Sequence, residues 1–167
     1  PFELEFNINK RVMNMFYQEK NNTMEALFAT ISEKGFQGMG EAIQILMNEA
    51  MKIERNRFLG VLPYERNPDR EGYANGYKDK TIKTRVGQIN LQVPQVRDSD
   101  FYPQSLEKGM RSEKALRLAL AEMYVQGVST KRVKAVTAIL CGYEVSSSEV
   151  SRASKLMDEE QEKWRNR

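Results

Sequence analysis

Apolar residues recur every three or four positions through most of this chain and alternate with polar ones in a single stretch. The first spacing lines up side chains on one side of an α-helix, the second on one face of a strand. Ile8, Val12, Met15 and Phe16 outline a short amphipathic helix over residues 8–20. Thr23 stands where a second helix would be capped, with Met24, Leu27, Phe28 and Ile31 inward and Gly35 as its stop. Beyond a glycine-rich break at 35–40, Ile43, Leu46, Met47, Ala50, Ile53 and Arg57 mark one face of a longer helix over 41–58. Its methionines suit a soft packing surface, either ordinary core or a helix–helix dimer seam.

The alternating stretch predicts a hairpin with strands at about 80–86 and 88–94 and Gly87 at the turn. Pro94 limits the second strand, because proline has no N–H to donate to a ladder. The segment from Pro63 to Lys80, rich in Pro, Gly, Asn and Tyr, reads as an ordered loop. Thr81, Lys83 and Arg85 share a face of the first strand. Such a basic ribbon can lie along DNA, or it can be a solvent-facing edge that uses its charges against aggregation. An irregular segment from Arg97 to Met110 then leads into a helix over about 112–126. Ala115, Leu116, Ala119, Leu120, Met123 and Tyr124 form its inner face, and Gly127 stops it.

The run from Gly127 to Met157 reads as two helices around a tight turn. Ser129 is placed to cap the first, accepting from the free N–H groups of the opening turn. Val133, Val136, Ile139 and Leu140 make its apolar stripe, and Cys141-Gly142 ends it. Ser146 and Glu149 fit a capping box for the second helix. Val150, Ala153 and Met157 then face inward, leaving Ser147, Ser148, Ser151, Arg152 and Lys155 outward. This is the pattern of a helix-turn-helix whose second helix can donate to base edges and phosphates. A plain solvated helical hairpin would carry the same caps and spacing. Lys131, Arg132 and Lys134 on the preceding helix, with Lys83 and Arg85 on the hairpin, would grip the DNA backbone. The tail at 158–164 is too acidic to touch phosphate.

The predicted architecture is mainly α. A helical region at 1–60 precedes a loop and basic hairpin at 61–110 and a helix-turn-helix three-helix unit at 111–167. Composition fits this, with 40% hydrophobic and 29% charged residues and no apolar run long enough to span a membrane. The net charge of +3 is uneven, since residues 52–85 hold nine bases against five acids while residues 1–51 hold four against seven. That gradient places a nucleic-acid face mainly on central elements. The absence of histidine removes the usual general base and zinc partner. The lone Cys141 excludes an intrachain disulfide, fits a reducing compartment, and is most simply a small buried apolar group. No catalytic or metal-binding residues emerge, and no cofactor is expected for this chain.

Asn75-Gly76-Tyr77, Thr84-Arg85-Val86-Gly87, Leu91-Gln92-Val93-Pro94, the run from Glu122 to Thr130, and Val150-Ser151-Arg152 together resemble the N-terminal half of mutator-type bacterial transposases. The resemblance runs from about Arg55 to the end of the chain. It implies binding of double-stranded DNA at transposon terminal inverted repeats, a homodimer, and a bacterial, cytoplasmic, nucleoid-associated location. In that family the cutting chemistry belongs to a later ribonuclease-H-like domain. Its Asp-Asp-Glu triad uses divalent metal, Mg or Mn. None of that triad maps onto this chain. The resemblance therefore implies a chain that binds without cleaving, either as the end-recognition part of a transposase or as a truncated stand-alone regulator. A third reading is a helical module that assembles the dimer.

Overall fold

The computed structural model describes residues 21–61 and 70–165, together with Asn14 and Gln18, both helical. Helix α1 covers residues 21–34. A 3-10 turn at Gly35–Gly38 then opens helix α2 at Met39–Leu59. Strands β1 at Tyr73–Thr84 and β2 at Gly87–Arg97 form a two-stranded sheet. Helices α3 at Lys114–Val125, α4 at Thr130–Cys141 and α5 at Ser147–Arg165 complete the chain. The mainly α architecture with one central hairpin is as expected. Two compact units emerge, one of Pro1–Lys80 with Asn90–Gly109, the other of Thr81–Ile89 with Met110–Arg167.

In the first unit several expected faces are rotated. Ile8, Val12, Met15 and Phe16 lie outside the described residues. Thr23 does not cap α1, because Asn21 and Asn22 before it are already helical. Differences of a few tenths of a kcal/mol in local preference are readily overridden by the helix as a whole. Of the expected inward residues only Leu27 is buried, joined by Thr30, whose hydroxyl donates to the Ala26 carbonyl at 2.8 Å. Met24, Phe28 and Ile31 are exposed.

On α2 the buried positions are Ala42, Met51, Arg55 and Leu59, so the face turns away from Leu46 and Arg57, which are exposed. Leu59 packs with Val61 and Val96, and Phe101 closes over them. Phe101 also meets Phe58 with ring centroids 5.0 Å apart. The Glu54 carboxylate accepts from the backbone N–H groups of Gln104, at 2.6 Å, and Ser105, at 3.1 Å. Those bonds order part of the irregular segment after β2.

The hairpin is longer than its alternation suggests. Strand β1 begins at Tyr73, inside the segment read as a loop, because residues 73–79 are exposed and carry no apolar alternation to detect. Strand β2 continues past Pro94 to Arg97. Two flanking hydrogen bonds explain why the proline is tolerated. Backbone N–H groups of Asn90 and Gln92 donate to the side chains of Gln44, at 3.3 Å, and Asn48, at 2.9 Å, on α2. Positions of that parity point away from β1, so Pro94 lacks only a donor that the ladder would not use. Along this stretch of β2 the edge is covered by α2 side chains.

Candidate nucleic-acid interface

The second unit is a three-helix arrangement with the hairpin tip docked on it. Its core comprises Leu116, Leu120, Ala121, Val133, Val145, Val150 and Ala153. Helices α3 and α5 supply most of it. On α3, Ala119 and Tyr124 are exposed and Ala115 is only half-buried, so the inner face is narrower than the expected one and runs through Ala121. Helix α4 contributes Val133 and the polar Thr137, while Ile139 and Leu140 stand 84% and 73% exposed and Val136 is also exposed. The expected stripe therefore fails beyond Val133. Threonine takes the inward slot because its hydroxyl is satisfied there, donating to Lys134 O at 3.0 Å and accepting from Val145 N at 3.4 Å. That pair of bonds fixes the turn between α4 and α5.

The capping signals hold. Ser129 accepts from the Arg132 N–H at 3.4 Å, and Gly142 ends α4 in the left-handed conformation at φ 71°. Ser146 and Glu149 close the reciprocal box, Glu149 N donating to Ser146 Oγ at 3.2 Å and Ser146 N to Glu149 Oε2 at 2.8 Å. With Val150 and Ala153 buried, Ser147, Ser148, Ser151, Arg152 and Lys155 are all exposed. Met157 has no described side-chain placement. Arg152 rests on its own helix, Nε donating to Ser148 O at 3.2 Å, and these exposed bonds are cheap to exchange for a ligand. Lys131 and Arg132 are exposed and Lys134 half-buried in the first half of α4. Cations there oppose the helix dipole, a local cost that a bound anion reverses.

The hairpin bases are not free on an open ribbon. Lys83 Nζ pairs with Glu149 Oε1 at 2.6 Å, both side chains 25% exposed, and Arg85 pairs with Glu113 at 2.9 Å. Backbone bonds reinforce the docking, with Lys83 N donating to Arg111 O at 3.0 Å and Glu113 N to Lys83 O at 2.8 Å. Tyr143 Oη donates to Thr84 O at 3.0 Å, while Lys83 Nζ lies 5.6 Å from its ring. Burial, with help from neighbouring acidic groups, holds the Tyr143 phenol far above its ordinary range. Burial likewise raises the Cys141 thiol, which is half-buried and packs against the core. Sequence reasoning missed Glu113, Thr137, Tyr143 and the second role of Glu149. Lys83 and Glu149 are 66 residues apart, and no local spacing signals such a pair.

Burial works against ionisation of Glu149, but hydrogen bonds from Lys83 and Ser146 outweigh it and hold the carboxyl below its usual range. A depressed folded-state pKa contributes stability above the unfolded value near 4.3, lost as pH falls through the folded value. Glu149→Gln keeps a side chain able to cap but loses the charge. It is expected to cost about 1 kcal/mol in urea denaturation at pH 7, with the gap from the parent closing as the pH is lowered. A gap independent of pH would assign the loss to packing.

Among the described residues no helix is long and apolar enough to cross a membrane, and no cluster of three His, Cys, Asp or Glu groups could hold a metal ion. Residues 15–167 match the family model "Transposase, Mutator family". The chain is 55% identical over 155 residues to the transposase for insertion sequence element IS406 of Burkholderia multivorans, covering 92% of this chain and 40% of that protein. It is 46% identical over 122 residues to the transposase for ISRM5 of Rhizobium meliloti, covering 73% of this chain and 31% of the relative. Identity to the transposase for IS256 in transposon Tn4001 of Staphylococcus aureus is 38% over 122 residues, with the same shares covered. The chain thus spans well under half the length of these relatives. With a match that takes in both units and nearly the whole sequence, this chain belongs to the Mutator family of transposases.

Proposed function

We propose that the second unit recognises double-stranded DNA at the terminal inverted repeats of its element, as the end-binding part of a transposase. The observation that carries this reading is the division of labour on α5. Val150 and Ala153 hold the helix in the core, while Ser147, Ser148, Ser151, Arg152 and Lys155 form an exposed face of donors. Arg152 is the base-reading candidate, with the serines and Lys155 beside it. Lys131, Arg132 and Lys134 grip phosphates along α4. Arg85, 69% exposed, can exchange Glu113 for a phosphate, whereas Lys83 mainly clamps the hairpin to α5. Binding in this role uses no cofactor.

The test is anisotropy titration of the whole chain against a terminal-repeat duplex and a scrambled duplex of equal length at two salt concentrations. A preference of about a hundredfold, about 2.7 kcal/mol, is expected. Equal and steeply salt-dependent binding to both would reduce the interface to a nonspecific basic surface.

A homodimer is the second element of the proposal, supported by the exposed Met24, Phe28 and Ile31 of α1 and by Phe36, 92% exposed in the turn that follows. Met24, Phe28 and Ile31 recur at steps of four and three, the spacing of a helix–helix seam. Light scattering on the DNA-free sample is expected to give twice the chain mass, and a monomer at all concentrations would remove this element.

A further inference from the structure

Among the described residues, the first unit carries three cation–ring pairs that end recognition by α5 leaves unused. The Arg55 guanidinium lies 5.1 Å from the ring centroid of Tyr77, that of Arg70 4.7 Å from Tyr73, and Lys80 Nζ 5.6 Å from Tyr102. Tyr73 and Tyr77 sit on β1 and are 65% and 45% exposed, so each ring stacked on a guanidinium still offers surface to solvent. Arg55 is itself only 9% exposed. One of its terminal nitrogens donates to Tyr77 Oη at 3.3 Å, and its buried Nε meets no acceptor. The guanidinium charge is thus held behind the Tyr77 ring, where its field adds to the attraction of a polyanion at the exposed ring. The ion pairs among the described residues, Lys34–Glu41, Lys52–Glu49, Lys83–Glu149 and Arg85–Glu113, involve none of the three cations.

Between the two tyrosines Gly76 has φ 70°, a conformation L side chains rarely adopt, and a Cβ placed on it would meet nothing within 4 Å. The space beside the backbone there is open, and both rings are accessible. Exposed rings backed by guanidinium groups match a ligand that is both polyanionic and flat-faced. In duplex DNA the bases stack on one another and hide their faces; in an unpaired strand each base has a face to give.

We propose that Tyr73 and Tyr77, with Arg55 and Arg70 behind them, form a binding surface for an unpaired DNA strand, its bases stacking on the rings and its phosphates attracted by the positive charge that the guanidinium groups place there. The surface stands on the stacked pairs and is independent of base reading by α5.

The test uses the whole chain and a labelled oligothymidine of about 12 nucleotides, alongside the terminal-repeat duplex. Tyr73→Ala and Tyr77→Ala are each expected to weaken oligothymidine binding by about tenfold and to leave duplex binding unchanged. Tyr77→Phe, which keeps the ring and loses only the hydroxyl, should stay within about twofold of the parent, showing that the stack and not the fold is read. Arg152→Ala should do the reverse, weakening the duplex and sparing the single strand. Photocrosslinking with iododeoxyuridine in the oligonucleotide is expected to mark Tyr73 or Tyr77. Unchanged oligothymidine affinity in Tyr73→Ala, an exposed position where folding is not at stake, would overturn the proposal, as would crosslinks confined to the second unit. Loss of repeat preference with the oligothymidine results intact would count against the α5 reading alone.

Discussion

Leu120→Ala is expected to destabilise the three-helix unit by about 2–5 kcal/mol and to abolish repeat binding with it. Leu120 is 2% exposed on α3, in a core where Ala121, Val133 and Val150 are fully enclosed. Close-packed neighbours relax only partly into a cavity, so the side chains around the removed methyl groups stay incompletely packed. Against a typical domain stability of about 5–15 kcal/mol, that loss is large. Tyr124→Ala on the same helix makes the control. The helical periodicity groups Tyr124 with Leu120, yet the ring is 46% exposed. Its removal is expected to cost no more than about 0.5 kcal/mol. Urea denaturation of the two variants separates them, and comparable losses would show that α3 packs with the wider face its sequence suggests.

Arg152→Ala is expected to weaken binding to the terminal repeat by about 1–3 kcal/mol while leaving a scrambled duplex and the urea midpoint untouched. The guanidinium is exposed and, among the described residues, bonded to Ser148 of its own helix, so the core does not register its removal. A side chain that reads a base serves one sequence, and deleting it erodes preference; one that holds a phosphate serves every sequence, and deleting it leaves preference intact. Equal weakening on both duplexes would move Arg152 to the backbone and pass base reading to Ser147, Ser148 or Ser151.

What could be read from the sequence was mostly local. Ser129, Gly142 and the Ser146–Glu149 box act on residues within four positions of themselves, and each behaves as its spacing implies. The exposed α5 donors follow from the box, because once the helix start is fixed the period places every later side chain. Burial faces were harder. Thr137 is polar by composition and becomes inward only when the Val145 N–H arrives eight residues later to use its oxygen. Pro94 looks like a stop until Gln44 and Asn48, more than forty residues away, take the donors of matching parity. The pairing of Lys83 with Glu149 has the same character, and it altered the candidate interface by answering a charge that the strand pattern left open.

Ser147, Ser151, Arg152 and Lys155 contribute nothing to the core that holds α5 in place, whereas Val150 and Ala153 contribute nothing to its outer face. Framework and vocabulary are thus written in different letters of one helix. If that outer face reads the element's ends as proposed, an insertion sequence whose ends drift by a base could be followed by a single outward substitution, with no refolding and no compensating change beneath. Elements that diverge in their ends could then keep one scaffold and become mutually deaf by a few surface replacements.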